Sequence, residues 1–144
     1  MKAINSAEVK FQSVSGNEAF ARGSVTAFLL SLDPTVSELS DIKTAVSEAV
    51  TNAIIHGYKF KKGIVYINMY IYEDGKFLVK IRDKGCGIED IEKAREPLFT
   101  TGGEEQAGIG FAVMESFCDK ISVKSTLGKG TCVSLTKFLQ KHEE

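Results

Sequence analysis

Between Thr35 and Arg82 the apolar residues change period. Leu39, Ile42, Val46, Ala49, Val50, Ala53 and Ile54 recur at three- and four-residue steps, the spacing of one helical face running to about His56. Gly57 is placed to end that helix as a C-terminal glycine does. From Ile64 to Tyr72 and from Phe77 to Arg82 the alternation is two, which is a strand signal. Glu73-Asp74-Gly75-Lys76 joins the two runs, and Gly75 can take the positive φ that closes a hairpin. A long amphipathic helix feeding a hairpin requires a sheet that is at least partly antiparallel, with the helix packed on one of its faces.

The remaining elements fit the same plan. A first strand is expected over Ile4 to Val14. A helix capped by Asn17 is expected to run from Glu18 to about Ser31, with Asp33-Pro34 closing it and opening the next where a missing N–H is harmless. A short helix is expected around Ile88 to Arg95, and another from about Gly110 to Cys118. Two last strands, Lys120 to Ser125 and Gly130 to Leu135, flank Thr126-Leu127-Gly128-Lys129. With 144 residues there is room for one core, so the reading is a single domain over 1–144. Its class is α+β, a two-layer sandwich of a mixed, mostly antiparallel sheet with helices on one face. A polar, glycine-rich segment from Lys84 to Gly110 interrupts it, and a loop of that length in a compact domain is usually functional.

Charge and cysteine usage narrow the function classes. Eighteen Lys and Arg against 19 Asp and Glu leave a net charge of −1, no excess of cations for a nucleic-acid backbone. The basic knot of Lys59, Lys61 and Lys62 reads as a solvated turn. No apolar run approaches the roughly 18 residues that span a bilayer, and the first residues open no signal-peptide stretch, so a cytoplasmic protein without membrane attachment is expected. Cys86, Cys118 and Cys132 form no CxxC pair, and neither His56 nor His142 stands at ligand spacing from them. Cys118 and Cys132 read as small buried hydrophobes.

Four constellations remain. Glu48, Asn52 and His56 are spaced by four and share one stripe at the edge of the helix's apolar face. Taken alone, Glu48 and Asn52 are more often ordinary boundary polar residues, but Asn is a poor helix-interior residue, and that local cost keeps an oxygen-ligand or hydrogen-bonding role open. Asp83-Lys84-Gly85-Cys86-Gly87 ends a strand with an acceptor carboxylate and two glycines that let backbone approach a flat ligand, such as an adenine. Gly108-Ile109-Gly110 is expected just before a helix, where free N–H groups attract an anion. It lacks the third glycine of a dinucleotide-binding loop. Thr126 to Thr131 is a glycine turn entering the terminal strand.

In this order the motifs resemble the Bergerat-fold ATP-binding family of gyrase, the Hsp90 chaperone, MutL and histidine kinases, over nearly the whole chain. Ser47-Glu48-Ala49-Val50-Thr51-Asn52-Ala53-Ile54-Ile55-His56-Gly57-Tyr58 and Glu96-Pro97-Leu98-Phe99-Thr100-Thr101 closely resemble the anti-sigma F factors, small serine kinases that control sporulation sigma factors. The resemblance implies an enzyme that uses ATP with Mg²⁺, leaving ADP. Asn52 would hold the metal and Glu48 would be the general base. Asp83 would hold the adenine amine, with Gly85 and Gly87 granting close approach and Thr131 supporting the base. A lid over about 89–110 would bring Thr100, Thr101, Gly108, Ile109 and Gly110 near the phosphates. It further implies binding of a sporulation sigma factor, with Arg22 as one contact, phosphorylation of an anti-anti-sigma protein, and a homodimer. Arg22 also stands at i,i+4 from Glu18, the spacing of a surface salt bridge.

One departure stands out. Resembling chains carry an arginine shortly before the G-x-G, where this chain reads Glu104-Glu105-Gln106-Ala107. Two alternatives follow from the residues: a binding regulator in which nucleotide is only a conformational ligand, and a detached histidine-kinase-like domain.

Overall fold

The computed structural model describes residues 2–95 and 104–140, with side chains in the last helix given from Ile109 onward. The chain runs β1 (Ala3–Gln12), α1 (Asn17–Leu29), a 3₁₀ turn (Leu30–Leu32), α2 (Val36–Asn52), a π-helical turn (Ala53–Gly57) and β2 (Ile64–Tyr72). It continues with β3 (Lys76–Asp83), α3 (Ile91–Ala94), α4 (Glu104–Phe117), β4 (Lys120–Thr126) and β5 (Gly130–Phe138). The five strands form one sheet in the order β1-β2-β3-β5-β4. All four pairings are antiparallel, so the mixed sheet anticipated from the sequence has no parallel pair among the described strands.

Burial follows the strand period. In β2 every second residue, Val65, Ile67, Met69 and Ile71, is buried, and the residues between are half-exposed. The buried set meets Val25 and Leu29 of α1, Ile42, Val46 and Val50 of α2, and Phe111 and Met114 of α4 in one core. On the edge strand, Val9 and Phe11 join this core, Phe11 edge-to-face with Phe20, whereas Ile4 is 62% exposed. Gly75 closes the β2–β3 turn at φ +89°, as the hairpin signal requires.

Local chemistry sets the helix ends. Thr35 caps α2: its hydroxyl accepts from the Glu38 N–H, and the Glu38 carboxylate accepts from the Thr35 N–H. Pro34 stands just before that cap, after Asp33 has closed the 3₁₀ turn in the left-handed region at φ +48°. Two expected caps are different. Asn17 is the first residue of α1 and not its cap; its amide donates to the Gln12 carbonyl instead. Gly57 does not take a left-handed C-terminal conformation, because the helix continues as a π turn in which Tyr58 N–H reaches back to Ala53.

The largest revision concerns α4. It starts at Glu104, six residues before the expected start, so Gly108-Ile109-Gly110 lies within the helix and not ahead of it. Glu104-Glu105-Gln106-Ala107 are good helix formers, and glutamates suit a helix's positive end. The cysteines differ in degree: Cys118 and Cys132 are half-buried, Cys118 packing against the core.

Candidate functional site

A cleft of about 1140 Å³ opens between the end of α2, the β3 end, α3 and the β4–β5 turn. Asn52, His56, Asp83, Gly87 and Thr131, which the sequence separates by up to 79 positions, all line it, together with Phe111 of α4. The backbone at its back wall is stitched across elements. Cys86 N–H donates to the Gly57 carbonyl at 2.9 Å, and Gly128 N–H donates to the Cys86 carbonyl at 2.6 Å. The Cys86 thiol reaches the His56 carbonyl at 3.2 Å.

The π turn sets how α2 meets β3. A methyl on Gly57 would lie 2.9 Å from the Asp83 carboxylate carbon, and one on Gly85 would lie 2.1 Å from the Gly57 carbonyl oxygen. These glycines are therefore needed for close backbone packing. Gly87 sits at φ +75°, and a side chain there would strike the Thr126 carbonyl at 2.3 Å. The expectation that Gly85 and Gly87 clear space for a ligand is thus modified: the contacts they permit are with the protein's own backbone, which shapes the cleft wall.

Asp83 is 6% exposed. Burial pushes its carboxyl above the ordinary carboxylate range, opposed by hydrogen bonding from the Gly85 and Thr131 N–H groups. Gly85 N–H donates to Asp83 Oδ1 at 2.9 Å, which fixes the carboxylate's orientation. Thr131 pairs directly with Asp83 across β3 and β5. Ser125 completes this corner: its oxygen accepts from the Ile88 N–H at 2.7 Å, lies 2.8 Å from Thr131 Oγ1 and donates to the Gly130 carbonyl at 3.0 Å. With the Ser125 proton so used, Thr131 donates to Ser125 and presents its own oxygen as an acceptor. Ser125 escaped the sequence reading, although a four-residue turn at Thr126 places it opposite Thr131.

Glu48 and Asn52 stand one turn apart beneath α4. Gly110 is pressed against both: a methyl there would lie 3.1 Å from Glu48 Oε2 and 3.2 Å from both terminal atoms of Asn52. Asn52 Nδ2 is buried without a hydrogen-bond partner among the described residues, a cost that a structural role does not explain. Ile109 is 50% exposed. Thr100 and Thr101, with the rest of 96–103 in the expected lid, lie outside the described residues, whereas 89–94 line the cleft. Arg95 is paired with Glu115 of α4.

The model of the histidine kinase-like ATPase domain family matches residues 16–137. The anti-sigma F factor of Caldanaerobacter subterraneus subsp. tengcongensis is 54% identical over 143 residues, covering 99% of each chain. That of Bacillus licheniformis is 52% identical over 139 residues, covering 95% of this chain and 94% of its own. The chain belongs to the anti-sigma F factor family. Its domain is of the ATP-binding type.

Solved structures agree on the fold. The RsbU and RsbW domains of a Mycobacterium tuberculosis protein superpose with a TM-score of 0.69 at 20% identity, over 94% of this chain and 32% of that one. The SiaB–SiaC complex of Pseudomonas aeruginosa gives 0.60 at 13% identity, over 89% and 88%. Arg22, the expected partner contact, lies on α1 away from the cleft residues in sequence, and its Nε pairs with Glu18 at 2.8 Å. No helix among the described residues is long and apolar enough to cross a membrane.

Proposed function

We propose that this chain inhibits a sporulation sigma factor by binding it, and phosphorylates an anti-anti-sigma protein on serine with MgATP, releasing ADP. The observation that carries this reading is the convergence of Asn52 and Asp83 on one cleft with Glu48 one turn behind Asn52. Asp83, oriented by Gly85, accepts from the exocyclic amine of adenine, and the acceptor oxygen of Thr131 stands beside it. Among the described residues no three His, Cys, Asp or Glu side chains cluster to hold an ion. The donors at hand fit Mg²⁺ nonetheless, because it takes one or two protein oxygens and completes its shell with phosphates and water. Asn52 lines the cleft, and its side-chain oxygen would be such a donor. When bound, the ion neutralises charge on the transferred phosphoryl group.

Glu48 is the general base. Its carboxylate takes the proton of the incoming serine as the serine oxygen bonds to the γ-phosphorus and the bond to the ADP oxygen breaks. Labelled ATP incubated with the partner protein is expected to label a serine. Glu48→Gln is expected to slow transfer by roughly 10²–10⁴ while retaining nucleotide. Asn52→Ala is expected to lose the Mg²⁺ dependence of nucleotide binding. Unlabelled partner, or a Glu48→Gln variant as active as the parent, would overturn the kinase reading.

The pairing of Arg95 with Glu115 favours a second reading, in which nucleotide is a conformational ligand and regulation works by sequestration alone. Stoichiometric phosphoserine excludes it, and a phosphohistidine product would point instead to a histidine-kinase-like activity. Arg22 serves as a sigma-factor contact in the proposed complex, and two copies associate through the unpaired edge of β1. A light-scattering mass of one chain at micromolar concentration would remove the homodimer. The setting for such a regulator is the cytoplasm.

A further inference from the structure

The sheet face opposite the helices is strongly cationic although the whole chain carries a net charge of −1. Strand registers place Lys10, Tyr66, Arg82 and Lys124 in one row across the sheet, with Cys132 between the last two. The next row carries Lys80, and Lys120 and Lys76 lie in the rows beyond it. The acidic residue in these rows, Glu8, accepts from the Asn68 amide at 2.6 Å. Since this face is basic, the rest of the chain is net acidic, and the overall charge hides the segregation.

The cations are held in place. Arg82 lies 4.6 Å from the Tyr66 ring centroid, with Lys84 at 5.2 Å from the same ring. Lys76 lies 4.2 Å from the Tyr72 ring and Lys80 5.9 Å from that of Tyr70. Each ring fixes a flexible charged head before any partner arrives, which lowers the entropy lost on binding. The same arrangement bears on the occupant. A single-stranded nucleic acid stacks its bases on bare rings, and here cations lie over them. Two copies of this face would repel each other.

We infer that the open sheet face is a docking surface for an acidic protein segment, separate from the nucleotide cleft. Carboxylates of an extended segment meet the ring-held cations, and the tyrosine hydroxyls add donors. A strand of about nine residues spans roughly 30 Å, the length of β2, so a nine-glutamate peptide is a fitting probe. Fluorescence anisotropy of the labelled peptide with the full-length protein is expected to show saturable binding that weakens steeply with salt. Lys80→Glu with Arg82→Glu is expected to weaken it about tenfold or more. Lys61→Glu with Lys62→Glu, the same charge change on a loop, is expected to leave it within about twofold. Lys80→Gln with Arg82→Gln keeps the surface polar, and retained ATP binding in each variant certifies the fold. Equal losses from the sheet and loop pairs would overturn the proposal. So would an oligonucleotide of equal charge binding more tightly than the peptide, or a change in oligomeric mass on reversing Lys80 and Arg82, which would assign the face to a second copy.

Discussion

Asp83 is held in a position that disfavours its own charge. Burial raises its carboxyl pKa in the folded chain above the unfolded value, so the native state binds more protons between the two values. Stability therefore falls as pH rises through that window, and at neutral pH the ionised group is a net cost. Asp83→Asn keeps an oxygen to accept from Gly85 and removes the charge. Its thermal midpoint without nucleotide is expected to exceed the parent's at pH 7, with the gap closing toward pH 4, while ATP binding is lost because an amide cannot replace the carboxylate as an acceptor on both oxygens. Thermal melts across pH, with and without ATP, check both parts. The glycines divide in a comparable way. Gly128 is at φ +80° with open space around it, so Gly128→Ala is expected to cost about 1 kcal/mol. Gly85→Ala drives a methyl into the Gly57 backbone and is expected to cost about 3 kcal/mol or more in urea unfolding.

Among the elements, α4 decides whether Glu48 and Asn52 are positioned. Gly110→Ala improves helix propensity by about 1 kcal/mol but sets a methyl at 3.1–3.2 Å from both side chains, whose flexible ends must shift. The variant is expected to be as stable as the parent and at least about tenfold slower in phosphotransfer, since a small misplacement of reacting groups is costly. Equal rates would show that α4 does not set the geometry. The long helix, the β2–β3 hairpin and the Glu48–Asn52 stripe were legible because period and turn chemistry are local properties. The π turn at Ala53–Gly57 was not, and there Gly57 packs closely against Asp83, a residue 26 positions away that a local pattern does not bring into view. The start of α4 was misplaced for another reason: glycines at 108 and 110 were read as an anion loop, when the helix formers before them carry the helix through. Asp83 and Thr131 were legible as separate motifs, but only register makes them neighbours.

At the scale of the molecule, the cleft exists because four elements meet over a backbone held together at Cys86, and that residue reports on its occupancy. Cys86 lines the cleft with Asp83, so in the proposed complex ATP held at Asp83 covers its thiol. Cys132 lies in the outward-facing row with Arg82 and Lys124, on the opposite side of the sheet from the helices, and nucleotide does not reach it. Cys118 is a third case: burial pushes its thiol up to about 11, so at pH 8 it stays protonated and reacts slowly. Modification by a thiol reagent at pH 8, followed by peptide mass mapping, is therefore expected to give three distinct responses. Cys86 should slow severalfold with saturating ATP, Cys132 should keep its rate, and Cys118 should lag in both conditions. Protection of Cys86 should disappear in Asp83→Asn, because the nucleotide no longer binds there. A Cys86 rate indifferent to ATP in the parent protein would place the nucleotide outside this cleft and remove the geometric basis for assigning Asn52 and Glu48 their roles.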